Sequence, residues 1–192
     1  MPMFKAREMC PHAVIIPPNM SKYREVSQKI RAIFLDATPV IQPISLDEAY
    51  LDLSEDARGR SEERPATALA RAAARIEAEV GITVSIGLAY NKFLAKLASD
   101  LDKPRGYSVI GRREAQDFLS GLSVRKINGV GAVMAKKMAE QGIETIGQLQ
   151  AMSEDELVSW YGKFGRRLAG FVRGEDRRSV SSGGGAKSVS AE

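Results

Sequence analysis

Residues 45–52 read Ser-Leu-Asp-Glu-Ala-Tyr-Leu-Asp and place two adjacent acids, Asp47 and Glu48, between two apolar segments. The segments, Ile41 to Leu46 and Ala49 to Leu53, predict a β-hairpin that carries the acids at its tip. Such a pair can converge with a third acid on divalent cations, because Mg²⁺ prefers hard oxygen ligands and leaves room for substrate phosphates. Such a site would suit phosphoryl transfer, but the alternative is an ordinary polar turn, which accounts for most such pairs and which the spacing alone does not exclude.

The segments around this hairpin alternate between strand-like and helix-like patterns up to about residue 111. Outward from the hairpin we expect a strand at Ala13 to Ile16, a helix capped by Ser21, a helix from Arg64 to Val80 ended by Gly81, a strand at Thr83 to Leu88, and a helix capped by Asn91. These elements predict a first part that contains both helices and strands.

The last of these helices is followed by a basic turn. Leu94, Leu97 and Ala98 fall on one predicted face of the helix, and Lys92, Lys96 and Asp100 fall on the other. The turn Lys103-Pro104-Arg105-Gly106 then places a cation where it could contact a triphosphate. A solvated helix face with an ordinary turn is the alternative, and the pattern by itself favours it.

From about Arg112 onward the chain reads as short helices separated by glycines, so we place a boundary near residues 111–122. The turn Gly129-Val130-Gly131 opens a helix, where backbone N–H groups and the helix dipole can bind a phosphate, with Lys136 one turn further on. Gly142 to Leu149 reads as the return of a helix–hairpin–helix, a motif suited to sequence-independent DNA backbone binding. The alternative is a tight, glycine-containing turn between two helices that has a structural role only.

Composition limits the function classes. The chain has 192 residues, of which 44% are hydrophobic and 27% charged, as in ordinary globular proteins. It lacks an apolar run of the ~20 residues that a membrane span needs. One cysteine, Cys10, and one histidine, His12, exclude an internal disulfide and a Cys/His metal cluster, so we expect a cytoplasmic protein without membrane contact. The net charge is +4, and residues 103–192 carry 15 basic against 10 acidic groups, which suits a phosphate-binding surface.

Together these segments resemble a Y-family, DinB-type translesion DNA polymerase. The resemblance is carried, in the order of the family, by S-L-D-E-A-Y-L-D (45–52), V-S-I-G-L-A-Y-N-K-F-L-A-K-L-A-S-D (84–100), K-P-R-G (103–106), G-V-G (129–131), F-G-R-R-L (164–168), R-G-E-D (173–176) and K-S-V-S (187–190). It implies an α+β fold in which an incomplete polymerase palm, a mixed or antiparallel sheet with helices, precedes a small all-helical thumb with a helix–hairpin–helix. The implied domains are partial fingers and palm (1–111), thumb (112–174), and linker with the first strand of a truncated little finger (175–192).

The resemblance also implies roles for individual residues. Asp47 would be a metal ligand and Glu48 the adjacent catalytic carboxylate and metal ligand, in a site that holds two Mg²⁺ ions in the complete family. Lys103 would touch the incoming deoxynucleoside triphosphate. Gly129, Val130 and Gly131 would offer backbone amides to primer–template DNA, which Lys136 reinforces. The implied protein is a monomer whose missing C-terminal tail would bind a sliding clamp.

Two departures from the family pattern shape the functional expectation. The family begins with a strand that bears another metal-binding aspartate, and this sequence has none before its fingers-like start. The chain also ends at the first little-finger strand. We therefore expect a fragment truncated at both ends, with weak or no catalysis. A non-catalytic DNA-binding relative is the alternative, and a nucleotide cyclase ranks third.

Overall fold

The computed structural model describes residues 1–59 and 61–182. In chain order the helices and strands are α1 (Met3–Met9), α2 (Met20–Leu35), β1 (Ile41–Pro43), β2 (Ala49–Leu51), α3 (Glu55–Arg58), α4 (Pro65–Val80), β3 (Ile86–Ala89), α5 (Lys92–Ser99), β4 (Tyr107–Ile110), α6 (Ala115–Ser120), a 3-10 helix (Val124–Lys126), α7 (Ala132–Glu140), α8 (Ile146–Gln150), α9 (Glu154–Tyr161) and α10 (Lys163–Val172). The predicted α+β class is confirmed.

The four strands form two separate pairs within the described residues. β1 and β2 are antiparallel, with Ile41 opposite Leu51 and Pro43 opposite Ala49. β3 and β4 are parallel, because α5 crosses between them and returns the chain in the same direction. Helices α2 and α4 pack on each other through a small core of Ile33, Ala72 and Ile76.

A larger core extends from α5 to α10. Its members include Leu94 on α5, Leu119 on α6, and Leu157, Leu168 and Val172 on α9 and α10, all fully buried. The hydrophobic core is therefore continuous across the boundary predicted at residues 111–122. The division of the chain into three domains stays a prediction.

Local sequence signals correctly predicted the ends of several helices. Asn91 accepts a hydrogen bond from the Leu94 amide and caps α5 as predicted, and Gly81 ends α4 with a φ of 78°. That left-handed conformation favours glycine, which has no Cβ to clash with the backbone. No helix in the described ranges is both long and apolar enough to cross a membrane.

Two local predictions were wrong. Ala13 to Ile16 is not a strand, and Val14 and Ile16 are 86% and 80% exposed, because no neighbouring strand pairs with this segment. The cap of α2 is Asn19 rather than Ser21: its side chain accepts from the Lys22 amide, and the helix begins at Met20. The predicted little-finger strand, with the tract 183–185, lies outside the described residues.

Candidate functional site

The two adjacent acids lie at the tip of the β1–β2 hairpin, as predicted. The Glu48 carbonyl accepts hydrogen bonds from the amides of Ile44 and Ser45, at 2.8 and 3.3 Å. The Ser45 hydroxyl donates to the Asp47 carboxylate at 2.5 Å and accepts from the Glu48 amide at 3.1 Å. Because the turn satisfies its own backbone groups, both carboxylates are held at a defined, solvent-accessible position.

The side chain of Glu48 has a partner that the sequence pattern did not indicate. Lys96 on α5 donates a short hydrogen bond to the Glu48 carboxylate. In the sequence Lys96 reads as a solvated helix residue, but its side chain is only 22% exposed. This ion pair joins the hairpin tip to α5 and fixes the direction of the Glu48 carboxylate.

Lys103 lies near the same acids. Its ammonium group pairs with Asp100 at 2.6 Å. The pKa of Lys103 is raised, first by the hydrogen bond and charge of Asp100 and to a smaller extent by the charges of Glu48 and Asp47. The structure therefore brings the predicted triphosphate contact into electrostatic range of the predicted metal ligands.

One groove contains all three of these residues. Its volume is about 1520 Å³, and Asp47, Glu48 and Lys103 line it together with Ser45 and Lys96. A volume of this size exceeds that of the pockets that hold drug-sized ligands, so it can accept a nucleotide with its phosphates. The groove is where the arrangement of acids and cations could act on a phosphorylated substrate.

The two acids are suitable ligands for a divalent metal ion, but two carboxylates are fewer than a complete site needs. Asp47 and Glu48 supply hard oxygen ligands, which Mg²⁺ prefers. Within residues 1–59 and 61–182 no group of three acidic, histidine or cysteine side chains is placed to hold a metal ion. Magnesium binding by Asp47 and Glu48 therefore stays a prediction, and the described residues supply no third acid beside them.

Lys92, predicted on the solvated face of α5, is instead buried. Its ammonium group donates to the Gln42 side chain on β1 at 2.6 Å and to the Ser179 carbonyl at 3.1 Å, and it lies 5.1 Å from the Tyr50 ring centroid. The helical pattern of α5 gave no signal for this burial, because the covering groups come from distant parts of the chain.

The segment that follows α10 packs against the N-terminus of α5. We call residues 174–181 the strap. The Gly174 carbonyl accepts from the Tyr90 hydroxyl and the Asn91 amide group, and the Asp176 carboxylate accepts from the Phe93 amide at 3.0 Å. The strap has the polar composition of a linker, so the sequence did not indicate that it packs against the N-terminus of α5.

The predicted phosphate-binding turn lies before α7. Gly129 has a φ of 104°, and Gly131 is the N-cap of the helix. The Val130 amide donates to the Ile127 carbonyl at 2.9 Å, so that amide is already used inside the turn. Phosphate binding by the amides of Gly129 and Gly131 therefore stays a prediction, whereas the Val130 amide already has a partner.

The lysines on α7 differ in their surroundings. Lys136 is 81% exposed, with a long ion pair of 3.9 Å to Glu140, and stays a candidate for phosphate binding. Lys137 donates to the Trp160 carbonyl at 3.0 Å and lies 5.6 Å from the Tyr161 ring centroid. The predicted return of the helix–hairpin–helix is observed as α8, which Thr145 caps.

Comparison with known proteins agrees with this geometry. Residues 1–100 match the model of the impB/mucB/samB family, and residues 125–176 match the thumb domain of DNA polymerase-iota. The chain belongs to the Y-family of DNA polymerases. The nucleotide cyclase alternative is therefore wrong.

Members of the Y-family are similar along the whole chain. A DNA polymerase IV of Brucella melitensis is 54% identical over 192 residues, which are 100% of this chain and 43% of the relative. A DNA polymerase IV of Caulobacter vibrioides is 47% identical over the same length, 47% of that relative. The crystal structure of DinB from Sulfolobus solfataricus has a TM-score of 0.83 at 31% identity and covers 94% of this chain and 53% of its own. The chain thus spans about half the length of these relatives.

Proposed function

We propose that this chain forms palm and thumb parts of a translesion DNA polymerase, which hold primer–template DNA and an incoming deoxynucleoside triphosphate. The observation that carries the proposal is the common groove of Asp47, Glu48 and Lys103. Two carboxylates and a lysine in one groove suit a triphosphate with its divalent cation. We expect the DNA to leave this groove along the turn at Gly129 and Gly131.

Asp47 and Glu48 would hold Mg²⁺ in this proposal. When bound, Mg²⁺ would stabilise the negative charge that develops on the nucleotidyl group during its transfer to the primer. Ser45 holds the Asp47 carboxylate, and Lys96 holds that of Glu48, so both acids face the groove before substrate arrives. Lys103 adds a positive charge for the triphosphate, and we expect substrate to displace its exposed ion pair with Asp100.

We expect catalysis by these 192 residues alone to be weak or absent. The reason is that the described residues place only two carboxylates at the tip, where the family uses a third. A second candidate, a non-catalytic DNA-binding relative, is favoured by the same observation. Two Mg²⁺ ions, a clamp partner, a monomeric state and a cytoplasmic location stay predictions.

Primer extension tests the proposal. The purified chain and its Asp47→Ala variant are compared on a plain primer–template with Mg²⁺ and deoxynucleotides, with DNA binding measured in parallel. We expect salt-dependent binding by both proteins and at most slow extension, which the variant loses. Extension that is equal in the two proteins would contradict the role of Asp47. Absence of salt-dependent DNA binding would contradict the proposed function itself.

A further inference from the structure

Two lysines of α5 contact the β1–β2 hairpin, one at its tip and one at its base. Lys92 and Lys96 are four residues apart, so they lie on the same face of the helix, about 6 Å apart along its axis. Lys96 donates to Glu48 at the tip. Lys92 donates to Gln42 on β1 at 2.6 Å and lies 5.1 Å from the ring centroid of Tyr50, the residue opposite Gln42 on β2. α5 therefore holds the hairpin at two points.

The contact at the base is buried. Lys92 is 8% exposed, and an ammonium group removed from water is costly unless acceptors replace the water. The Gln42 side chain supplies such an acceptor, and the Tyr50 ring adds a cation–π contact. Because water has little access, it competes weakly for these partners, and the hairpin base has a defined position against α5.

The strap meets the hairpin at the same point. The Ser179 carbonyl accepts from Lys92 at 3.1 Å, and the Ser181 amide donates to the Gln42 side-chain oxygen at 3.4 Å. An ammonium group has three N–H donors, so one lysine can join groups from separate segments. The hairpin base, α5 and the strap are therefore connected through Lys92.

The hairpin depends on such contacts for its direction. β1 and β2 have three residues each and pair only with each other in the part of the chain that the structure describes. A two-stranded ribbon is marginally stable by itself. Tyr50 is two residues from Glu48, about 7 Å of extended chain, so a rotation of about 10° at the base moves the acids by about 1 Å. A misplacement of about 1 Å at a reacting centre can lower the rate about 100-fold.

We propose that Lys92 is a positioning residue for the acid pair. Through Gln42 and Tyr50 it sets the direction of the hairpin, and therefore the placement of Asp47 and Glu48 toward the triphosphate and its divalent cation. Lys92 itself touches no substrate in this role. The inference rests on the proposed function and adds a residue that the motif analysis assigned to a solvated helix face.

Two variants separate positioning from stability. Lys92→Met removes the ammonium group and keeps an unbranched side chain. Lys92→Met/Gln42→Leu replaces both partners by apolar groups, and such a double replacement can leave stability nearly unchanged. Apolar contacts have no preferred direction, so we expect the double variant to recover stability without recovering the direction of the hairpin. Lys5→Met, the same change at an exposed residue of α1, is the control.

Nuclear magnetic resonance measures the hairpin tip without any substrate. We expect the Asp47 and Glu48 amides to give sharp resonances in the wild type and in Lys5→Met. In both Lys92 variants we expect broadening by microsecond-to-millisecond exchange at the tip, with the resonances of α9 and α10 unchanged. Thermal unfolding is followed in parallel, and we expect only Lys92→Met to unfold at a lower temperature.

Nucleotide binding connects the hairpin with the proposed function. A fluorescent deoxynucleoside triphosphate is titrated with Mg²⁺ into each protein bound to a primer–template. We expect both Lys92 variants to bind it about tenfold more weakly, the effect of one lost charge-assisted contact. We expect their affinity for the primer–template alone to equal that of the wild type, because the proposed DNA contacts of the thumb turn are unchanged.

The outcomes separate the inference from the proposed function. Tip resonances that stay sharp in both Lys92 variants would overturn the positioning role. So would a double variant that binds the nucleotide as tightly as the wild type, since stability alone would then explain the effect of Lys92→Met. A wild-type chain that binds neither primer–template nor nucleotide overturns the proposed function instead, and the tip resonances then still decide whether Lys92 directs the hairpin.

Discussion

Replacement of Gly87 by alanine is expected to lower the free energy of unfolding by about 3 kcal/mol. Gly87 lies in β3 where α5 crosses the strand. A Cβ atom there would lie 2.0 Å from the Ala95 carbonyl oxygen and 2.4 Å from the Ser99 amide nitrogen. Both are backbone atoms that no side-chain rotation can move. The helix must therefore shift, although Leu94 and Leu97 are packed into the core with at most 5% exposure.

Urea unfolding of both proteins measures this effect, with Gly121→Ala as the matched control. Gly121 has a φ of −80°, and nothing lies within 4 Å of the position that its Cβ would occupy. We expect the control to be unchanged or more stable by about 0.4–1 kcal/mol, because alanine restricts the unfolded chain. Equal unfolding midpoints for the two variants would show that β3 and α5 do not approach each other this closely.

The same displacement of α5 would also change the geometry of the candidate site. α5 carries Lys96, which holds Glu48 at the hairpin tip. A helix displaced from β3 moves the lysine relative to the acid, so we expect Gly87→Ala also to weaken primer–template binding. The sequence pattern does not show why position 87 requires glycine. The clash that glycine avoids involves backbone atoms that lie eight and twelve residues further along the chain.

Most features that depend on a few neighbouring residues were predicted correctly, although the cap of α2 is Asn19 and not Ser21. The Asn91 cap, the end of α4 at Gly81, and the acids at the tip of the hairpin all depend on neighbours within about four positions. Such capping and turn preferences belong to the local backbone, so the sequence shows them directly. The family motifs then identified the candidate site, because they combine several of these local features in a fixed order.

Features that depend on distant residues were not predicted. Lys92 has the spacing of a solvated residue and becomes buried because Gln42 and Ser179, 50 and 87 positions away, supply its hydrogen-bond acceptors. Ala13 to Ile16 has the composition of a strand but finds no partner strand in the described residues. Strand formation and burial of charge both require tertiary contacts, which periodicity along the chain does not reveal.

Replacement of Asp176 by asparagine is expected to lower the free energy of unfolding by about 2 kcal/mol at neutral pH. The Asp176 side chain is only 2% exposed. Its carboxylate accepts two hydrogen bonds from the Arg178 guanidinium group, at 2.7 and 2.8 Å, and one from the Phe93 amide at the start of α5. Asparagine keeps the shape but loses one acceptor oxygen and the negative charge. Arg178 is 46% exposed and regains water, which limits the loss.

The pH dependence distinguishes this carboxylate from an exposed one. Burial by itself would raise the pKa of Asp176, but the hydrogen bonds and charge of Arg178, with the Phe93 amide, outweigh it and lower the pKa below its usual value. The folded state therefore binds this proton less readily than the unfolded chain does. The stabilisation is complete above the unfolded pKa of about 3.9 and is lost as the pH falls through the lower folded value.

Urea unfolding of the wild type and Asp176→Asn between pH 7 and pH 3 tests this directly. We expect a constant difference in unfolding free energy at neutral pH, which shrinks once the pH drops below about 4, because protonated Asp176 resembles asparagine. Asp56→Asn is the control: Asp56 is exposed on α3, and we expect its replacement to leave the free energy of unfolding at neutral pH unchanged. A difference that stays constant down to pH 3 would mean that the charge of Asp176 does not hold the strap to α5, and only the shape of its side chain does.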